Sequence, residues 1–300
     1  MSQHRDVVVI GAGVAGLSAA REVAAAGRSV ACIDKLGPGG VLINLGPLHD
    51  MPGGEGEISG PDLVAKLVDQ ASEAGVELVF AEVERLEAGA PWTLSTTDGD
   101  WTADVVILAT GLAPGKLGVT GEEAFEGMGI SHCASCDGPL YAGQDVLVTG
   151  SDRWAIQEAI ELAGMTKHVT LLLEPGAVAA AGADELRALP NASVWTGRVV
   201  GLEGSNGVDG AIIERDGTSA PLAVRGLFVY SQRRPAADLI AQHANLAPDG
   251  GVAVDADRRS SRPTLLAAGD VAAGATHRIA NAIADGRHAG RTAVAHLKPQ

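Results

Sequence analysis

The feature that most constrains the fold is a run of β-branched residues that leads directly into a glycine-rich loop. Residues 6–10 have the sequence Asp-Val-Val-Val-Ile, which is typical of a buried parallel strand. Gly11, Gly13 and Gly16 follow in the spacing Gly-x-Gly-x-x-Gly, and the sequence then predicts a helix. Gly11 permits a tight turn, Gly13 lets the backbone touch a pyrophosphate, and Gly16 lets helix and strand pack closely. The pattern predicts a Rossmann-like unit.

A second predicted strand supports this interpretation with an acidic residue at its end. Residues 30–33 form the strand, and Asp34 follows about twenty residues after the glycine loop. A carboxylate in this position accepts hydrogen bonds from the hydroxyl groups of a ribose. The N-terminus of the first helix supplies N–H groups and a positive dipole for phosphates. Strand, loop, helix and terminal acid together predict a dinucleotide site.

Two further predicted strands, at residues 104–108 and 264–268, end in residues that would complete the same site. These residues are Thr110, Gly111, Gly269 and Asp270. Asp270 would hydrogen-bond the ribityl or phosphate region of FAD. The dinucleotide is therefore predicted to be FAD, held by two parts of the chain that an inserted domain separates.

A predicted helix follows the second of these strands, and His277, Arg278 and Ile279 lie at its start. The helix start would face the N1/O2 edge of the flavin and stabilise negative charge there. His277 or Arg278 would tune the flavin potential by adding positive charge, or each would be a solvated residue at a helix start. The sequence leaves both interpretations open.

These elements predict an α/β fold of two Rossmann-like nucleotide-binding domains. The FAD domain is expected to be discontinuous, with residues 1–118 and 246–300, and the second domain, residues 119–245, is inserted in it. Segments rich in Pro, Gly and charge at residues 112–116 and 232–235 are the expected crossovers between the two.

Two cysteines of the inserted domain, Cys133 and Cys136, are separated by two residues. Thiols at this spacing can close to a disulfide with little backbone movement, so the pair can cycle between dithiol and disulfide. Zinc binding is the alternative, but the chain has 3 cysteines and no second pair to complete a tetrahedral site. Cys32 lies in a predicted buried strand and is expected to be a small core side chain. The sequence predicts redox chemistry and no metal.

The residue after the pair, Asp137, is a candidate general acid. A carboxyl group partly buried beside the thiols can be held protonated near neutral pH and donate a proton to a leaving thiolate. An aspartate that caps a helix is the alternative. The cysteines themselves are expected at a helix start, where the dipole favours a thiolate.

The composition excludes several classes of protein. The chain has 22 basic and 37 acidic residues and a net charge of −15, which argues against a nucleic-acid partner because phosphates would be repelled. Its apolar stretches are short and interrupted, which predicts no membrane span. A strand begins within about six residues of the N-terminus, which leaves no room for a signal peptide. We therefore expect a cytoplasmic protein, and the few cysteines fit a reducing compartment.

In this order and at these separations, the motifs resemble those of the low-molecular-weight thioredoxin reductases over essentially the whole chain. The resemblance implies that Cys133 meets the disulfide of a thioredoxin-like protein, or a small disulfide or dithiol, while Cys136 faces the flavin. It also implies that Asp137 is the acid and that the chain forms a homodimer. The implied FAD site is lined by Gly11, Gly13, Gly16, Asp34, Gly39, Gly40, Thr110, Gly111 and Asp270.

The second Rossmann-like unit departs from this family at its nucleotide loop. The family has Gly-x-Gly-x-x-Ala there; Gly150 and Ala155 match, but Asp152 replaces the middle glycine. Two unit charges about 4 Å apart repel by about 4 kcal/mol at an effective dielectric constant of about 20, so the aspartate would oppose a pyrophosphate. Glu174 stands where NADPH-dependent members have basic residues, and Trp154 adds bulk. The sequence predicts a nucleotide-binding fold without its nucleotide.

Four functions remain open. The first is an FAD-dependent thiol–disulfide oxidoreductase whose electron donor is not NADPH, with ferredoxin as a candidate donor. Dithiol oxidases that pass electrons to oxygen also lack the nucleotide site, but they typically have His where this chain has Asp137. A flavoprotein scaffold without turnover would need neither the cysteines nor the acid. The fourth is a thioredoxin reductase with an unusual NAD(P)H site. Val41 and Asp50, in place of Gln and Asn near the flavin, leave the direction of electron flow open.

Overall fold

The β-branched run near the N-terminus forms a strand of a sheet that is covered on both faces. In the computed structural model, which describes residues 3–48, 58–177 and 182–297, the run lies at the end of the first strand. Val7 and Val9 belong to one hydrophobic core cluster, whereas Val8 and Ile10 belong to another. The alternation follows from the two-residue period of a strand, and it explains why four consecutive apolar residues are all buried.

The described elements alternate between strands and helices along most of the chain. The helices are α1 (Val14–Ala25), α2 (Gly60–Glu73), α3 (Ala134–Asp137), α4 (Arg153–Ala163), α5 (Ala183–Arg187) and α6 (Ile279–His296). The strands are β1 (Gln3–Ile10), β2 (Val30–Asp34), β3 (Pro47–Leu48), β4 (Ile58–Ser59), β5 (Glu77–Phe80), β6 (Val83–Glu87), β7 (Trp92–Thr96), β8 (Gly99–Leu108), β9 (Leu112–Ala113), β10 (Ile130–Ser131), β11 (Asp145–Thr149), β12 (His168–Leu173), β13 (Ala192–Thr196), β14 (Arg198–Glu203), β15 (Gly210–Arg215), β16 (Thr218–Leu222), β17 (Gly226–Val229), β18 (Arg234–Pro235) and β19 (Leu265–Ala267).

The chain divides into two units, each built around its own sheet. The first unit is Met1–Ala113 with Arg234–Gln300, and the second is Pro114–Arg233. The sequence analysis placed residues 114–118 in the first domain and residues 234–245 in the inserted domain. In the structure, residues 114–118 belong to the second unit and residues 234–245 to the first.

The structure explains the position of the second crossover. β18 pairs in antiparallel fashion with β9, so both crossing segments are tied together at Leu112 and Pro235. The residues that follow, Ala237, Ile240 and Ala244, are buried in the core of the first unit. The segment at 232–235 thus marks the crossover, and residues 236–245 belong to the first unit because tertiary packing holds them there, with a short turn of 3-10 helix at Asp238–Ile240.

The first unit contains a mixed sheet. Helices cover one face of this sheet, and a second hydrophobic core lies on the other face. In the described part of the chain the strand order is β5-β2-β1-β8-β7-β6, and β19 also pairs with β8. The parallel part of the sheet consists of β5, β2, β1, β8 and β19. The other edge of β8 pairs with β7, and β7 pairs with β6, so these three strands form an antiparallel meander. The core on one sheet face contains residues of α1, α2 and α6. Because β1, β2 and β19 run in the same direction, their carboxyl ends lie at one edge of the sheet.

The second unit repeats the Rossmann-like arrangement with a smaller sheet. Its parallel strands have the order β10-β17-β11-β12-β13, and an antiparallel sheet, β14-β15-β16, packs on one face. Helices α3, α4 and α5 contribute to the core on the other face. The predicted fold class, two Rossmann-like units with the second inserted in the first, is confirmed. Among the described helices, none combines the length and apolar composition that crossing a membrane requires.

Helices α1 and α6 of the first unit approach each other through a small residue. A Cβ atom at Gly286 of α6 would lie 2.1 Å from the carbonyl oxygen of Ala15 on α1. We predict that Gly286→Ala destabilises the protein by about 1–3 kcal/mol, because a backbone atom cannot move aside as a side chain can. Helix propensity alone predicts the opposite, a gain of about 1 kcal/mol. The midpoint of urea unfolding measures the difference.

Ala284→Gly on the same helix is the matched control for this prediction. Ala284 is exposed, so this change alters helix propensity without a packing change. An unfolding midpoint of Gly286→Ala at or above that of the unmodified protein would contradict the close approach of α1 and α6.

Candidate active site

The glycine loop between β1 and α1 has no space for side chains at two of its three glycines. A Cβ atom at Gly11 would lie 2.4 Å from the carbonyl oxygen of Ala109, and one at Gly16 would lie 1.8 Å from that of Gly11. Gly11 also has a φ of +101°, which disfavours any L side chain. The turn is therefore as tight as the sequence spacing predicts.

The middle glycine of this loop has a different environment. Gly13 is the N-cap of α1, no side chain caps the helix, and no acidic residue lies in its first turn. A Cβ atom at Gly13 would meet nothing within 4 Å among the described residues. The start of α1 is therefore uncapped by a side chain and has open space at Gly13, an arrangement that suits a pyrophosphate at a helix N-terminus.

Asp34 lies beside this loop, at the end of β2. Its Oδ2 accepts a hydrogen bond from Ala12 N at 2.8 Å, and its Oδ1 accepts one from Leu36 N at 2.9 Å. The carboxylate is half-buried and oriented by the two backbone donors, as a ligand for a ribose diol needs to be. Burial raises the pKa of the neighbouring Cys32 thiol, which is consistent with its predicted role as a core side chain.

The glycine pair at residues 39 and 40 lies against the same loop. Gly39 N donates to Ala12 O at 2.8 Å, and a Cβ atom at Gly40 would lie 3.5 Å from Gly13 Cα. Both glycines therefore border the open space beside Gly13, a contact that neither strand pattern nor spacing indicates directly.

Thr110 and Gly111 lie where the chain leaves β8. The Thr110 hydroxyl donates to Ala236 O at 2.7 Å, and Ala236 N donates to Gly111 O at 3.0 Å. Both residues thus bind the returning segment of the chain, so the Thr110 hydroxyl has a structural partner in addition to any ligand contact.

The residues from the end of the chain join the site through the N-terminal half of α1. A Cβ atom at Gly269 would lie 2.8 Å from the Cβ of Ala15. Asp270 Oδ1 lies 3.3 Å from His277 Nδ1, so the predicted flavin-edge histidine and the predicted acid form a pair. His277 has a φ of +52°, which is strained for a residue other than glycine and is a feature of functional sites.

The remaining flavin-edge residues lie at the start of α6. Arg278 is its N-cap without a side-chain cap bond, and Ile279 is its first residue and packs against the core. Val41 is 42% exposed on the segment after the glycine pair. Asp50 lies outside the described residues. The unit thus brings together two open helix starts, an oriented acid and a glycine cradle, which fit an extended dinucleotide.

The cysteine pair of the second unit lies at a helix start, as the sequence predicts. Cys133 and Cys136 form a disulfide, and Cys133 is the N-cap of the short helix α3. The sulfur of Cys133 accepts a hydrogen bond from Cys136 N at 3.1 Å. A backbone donor aimed at this sulfur would stabilise a thiolate at Cys133 when the pair is reduced.

Asp137 is connected to the same segment through a buried hydroxyl group. Its Oδ2 accepts a hydrogen bond from Ser131 Oγ at 2.7 Å, and Ser131 Oγ accepts one from Cys133 N at 3.2 Å. Asp137 precedes a single turn of 3-10 helix at Gly138–Tyr141 but makes no side-chain cap bond to it, which disfavours the capping interpretation. Sequence reasoning missed Ser131, because nothing in the pattern distinguishes it from an ordinary strand residue.

Sequence reasoning also missed a buried acid that contacts the backbone of α3. Glu158 on α4 is 1% exposed and accepts hydrogen bonds from Ala134 N at 2.9 Å and from the Tyr230 hydroxyl at 2.6 Å. A signal was present, because Glu158 lies three residues after Ala155 and four before Leu162, on the apolar face of the helix.

The second glycine loop is already occupied by the protein itself. Asp152 is the N-cap of α4, and its Oδ1 accepts a hydrogen bond from Ala155 N at 2.8 Å. Its other oxygen pairs with the guanidinium group of Arg233, which stacks on the Trp154 ring at 4.3 Å from the centroid. The loop is closed further by a bond from Glu174 N to Ser151 Oγ at 3.0 Å.

This arrangement corrects the physical reason for expecting no nucleotide at the second loop. The sequence predicts Asp152 to be an unpaired charge that repels a pyrophosphate by about 4 kcal/mol. Arg233 neutralises much of that charge, so the repulsion is smaller than expected. The obstacle is instead that a carboxylate already takes the N–H group and the cation that a phosphate would use.

A dinucleotide cradle in one unit and a dithiol in the other define a flavin-dependent disulfide oxidoreductase. The chain belongs to the pyridine nucleotide-disulphide oxidoreductase family, whose model matches residues 5–286. It is a thioredoxin reductase-like, FAD-dependent enzyme.

Individual relatives support this assignment. The chain is 30% identical to the thioredoxin reductase of Listeria monocytogenes over 300 residues, which cover 98% of this chain and 94% of that protein. The structure of a thioredoxin reductase from Lactococcus lactis matches with a TM-score of 0.88 and 27% identity, covering 97% of this chain and 98% of that one. A ferredoxin-flavin thioredoxin reductase from Clostridium acetobutylicum shares the fold, with a TM-score of 0.56, 24% identity and 98% of both chains covered.

The open space at Gly13 makes a prediction that separates folding from cofactor binding. We expect Gly13→Asp to fold normally, because the position has an extended backbone and room for a side chain, and an aspartate can cap α1. The same carboxylate would occupy the place of the pyrophosphate, so bound flavin should fall at least about tenfold, a loss of about 1.4 kcal/mol or more. Visible absorbance per chain measures flavin content, and extraction identifies it as FAD.

Gly27→Asp is the control for this substitution. A Cβ atom at Gly27 would also meet nothing within 4 Å among the described residues, but Gly27 follows α1 and lies away from the glycine loop. Its φ of +75° is in the left-handed region, which aspartate adopts more readily than most residues. Normal flavin content in Gly13→Asp would contradict the assignment of the glycine loop as the pyrophosphate site.

Proposed function

We propose that the protein is an FAD-dependent thiol–disulfide oxidoreductase that cycles Cys133 and Cys136 and receives electrons from a donor other than NADPH. The observation that carries the proposal is the contrast between the two glycine loops of one chain. Gly13 leaves the start of α1 open, whereas Asp152, the equivalent residue of the second loop, caps α4 with its own carboxylate. The first loop suits a dinucleotide and the second does not.

Three side chains oppose NADPH at the second loop in different ways. Asp152 uses the helix N–H, Arg233 is paired with Asp152, and the Trp154 ring packs against the guanidinium group of Arg233. Glu174 follows β12, where a cation would be needed to hold a 2′-phosphate. A nucleotide would have to break an internal ion pair and a helix cap before it could form its own contacts.

We propose a reduced iron–sulfur carrier of the ferredoxin type as the electron donor, since such a protein needs no pocket for a nucleotide. When bound, FAD supplies the two-electron exchange that the Cys133–Cys136 disulfide requires. The cysteine pair lies at the short helix α3, which is partly exposed. A disulfide of another protein can therefore reach it.

The dithiol then reduces a disulfide substrate by exchange. The thiolate of Cys133 attacks one substrate sulfur, the substrate S–S bond breaks, and a mixed disulfide forms. Cys136 attacks Cys133 in turn, which releases the second substrate thiol and restores the enzyme disulfide. Asp137, held by Ser131, carries a proton released by the enzyme thiols to the leaving thiolate. Two thiols of the enzyme and one substrate disulfide thus give one enzyme disulfide and two substrate thiols.

The substrate is proposed to be a thioredoxin-like protein or a small disulfide. Support comes from the names of the relatives and from the accessibility of the pair, in which Cys136 is exposed and Cys133 is half-buried. By likeness to the same relatives we propose a homodimer, and a cytoplasmic location fits an enzyme whose dithiol must be kept reduced.

The proposed FAD contacts follow from the geometry of the first unit. The helix starts and glycines would bind the phosphates, Asp34 the ribose, and Asp270 with the start of α6 the ribityl and flavin portions. The residues are Gly11, Gly13, Gly16, Asp34, Gly39, Gly40, Thr110, Gly111, Gly269, Asp270, His277, Arg278 and Ile279.

The donor assignment predicts the response of the bound flavin to reductants. Without oxygen, excess NADPH should leave the visible absorbance of the unmodified protein unchanged, whereas reduced ferredoxin should bleach it. Asp152→Gly should gain at least about tenfold in NADPH affinity, because it vacates the helix start and frees Arg233 for a phosphate. Glycine is also a tolerated N-cap, so the loss of stability should be a few tenths of a kcal/mol, on the order expected for that change.

Asp145→Asn is the matched control for Asp152→Gly. It removes a carboxylate from the other end of β11, where Asp145 pairs with Lys167 at 3.0 Å. This variant should not respond to NADPH. Rapid stoichiometric bleaching of the unmodified protein by low concentrations of NADPH would refute the proposed donor and indicate an ordinary thioredoxin reductase.

The roles of the two cysteines predict different behaviour of their serine variants. Cys136→Ser should accumulate a mixed disulfide between Cys133 and a disulfide substrate, because the resolving thiol is absent. Cys133→Ser should trap far less, and Cys32→Ala should turn over normally since that thiol is buried. Non-reducing mass spectrometry detects the adduct. Full turnover by both serine variants would show that the pair is not the redox centre.

A further inference from the structure

A buried carboxylate lies directly against the cysteine helix, and none of the steps above uses it. Glu158 Oε2 accepts two hydrogen bonds, from Ala134 N at 2.9 Å and from the Tyr230 hydroxyl at 2.6 Å. Ala134 is fully buried and is the first residue of α3, directly after Cys133. The carboxylate therefore fixes the position of the backbone N–H group that follows Cys133.

Packing alone does not explain an acid at this position. Glu158 lies on the buried face of α4 with Ala155, Ala159 and Leu162, where an apolar side chain would fit without loss of hydration. Removing a carboxylate from water is unfavourable unless charged partners compensate it, and the two donors described here are neutral. A side chain that only fills space would not need this charge.

Glu158 influences two neighbouring titratable groups. The pKa of Glu161 is raised, first by burial and then by the charge of Glu158. The pKa of Tyr230 is raised by burial and, after that, by the same carboxylate. Because water is excluded around Glu158, its field extends to groups that lie close to it.

Two backbone donors at the start of α3 are directed to different acceptors. Cys136 N donates to the sulfur of Cys133 at 3.1 Å, which favours a thiolate there. Ala134 N donates to Glu158, so that a carboxylate is held against the backbone of the residue next to Cys133. The first donor promotes ionisation of Cys133, and the carboxylate opposes it.

We propose that Glu158 is a positioning residue of the dithiol, which orients Cys133 through Ala134 N–H and uses its buried charge to limit ionisation of the Cys133 thiol. Tyr230 moderates this charge by donating to the same oxygen. The inference rests on the proposed function in one respect, namely that Cys133 and Cys136 are the redox pair. Reduction of their disulfide adds two electrons and two protons, and Glu158 favours retention of the proton on Cys133.

Other titratable groups surround the same segment and are left unchanged in the test. Asp137 is bonded to Ser131, and its charge also contributes to raising the pKa of Tyr141, after burial. His132, on the other side of Cys133, lies 3.2 Å from a carboxylate oxygen of Glu126. Each of these groups can influence Cys133, so the test compares variants that differ only at Glu158, Tyr230 or Glu161.

The test measures how readily Cys133 reacts with iodoacetamide across a pH series in the flavin-loaded, full-length protein carrying Cys136→Ser. Glu158→Gln keeps an oxygen that can accept both hydrogen bonds but loses the charge. It should lower the pKa of Cys133 and raise the alkylation rate at neutral pH by about threefold or more, about half a pKa unit. Tyr230→Phe leaves the carboxylate with one donor fewer and should slow alkylation about twofold.

Glu161→Gln on the same helix is the matched control, because it removes a neighbouring half-buried charge without touching α3. Its effect should be smaller than that of Glu158→Gln. A purely structural role would change alkylation in the same direction in both Glu158→Gln and Tyr230→Phe, and that result, or unchanged rates, would overturn the proposal. If Glu158→Gln does not fold, an unchanged alkylation rate of Cys133 in Tyr230→Phe is sufficient by itself to overturn the proposal.

The alkylation measurement does not require turnover of a substrate by Cys133 and Cys136. The thiol pKa is measured without an electron donor or a disulfide substrate, whereas the proposed function fails if Cys136→Ser traps no substrate. A shift in the pKa of Cys133 without trapping would therefore retain the role of Glu158 and reject the proposed reaction.

Discussion

The first N–H groups of a helix have no partner within the helix, and how this chain satisfies them determines what each unit can bind. At α1 the N-cap is a glycine with open space beside it, so the groups are available to an anionic ligand. At α4 the N-cap is Asp152, whose carboxylate accepts from Ala155 N. At α3 the N-cap is Cys133, whose sulfur accepts from Cys136 N. One structural requirement thus serves cofactor binding, closure of a site and control of a thiol.

The second unit is connected from the closed loop to the cysteine helix by a series of contacts. Arg233 pairs with Asp152 and stacks on Trp154, and the Trp154 ring lies 5.5 Å from that of Tyr230. Tyr230 donates to Glu158, which holds the backbone of α3. Residues around the second glycine loop therefore also support the helix that carries the cysteine pair.

The sequence predicted the α/β class, both Rossmann-like units and the helix start at the cysteines. These features depend on local pattern: alternate burial of β1, glycine spacing after a strand, and two thiols close in the chain. Prediction was poorer where tertiary packing decides, as for residues 234–245, which the first unit holds through buried Ile240. Ser131 and Arg233 were missed, because their partners, Asp137 and Asp152, are recognised only once the chain is folded.

By itself, then, the sequence located the first glycine loop, the cysteine pair and the altered second loop. It did so because glycine spacing, cysteine spacing and the charge of a side chain are properties of short segments. Only the tertiary structure decided what Asp152 does, since a carboxylate repels a phosphate when it is alone and substitutes for it when Arg233 and a helix start are present. It also decided that Glu158 is buried beneath α3, because burial and partner choice depend on how distant segments pack.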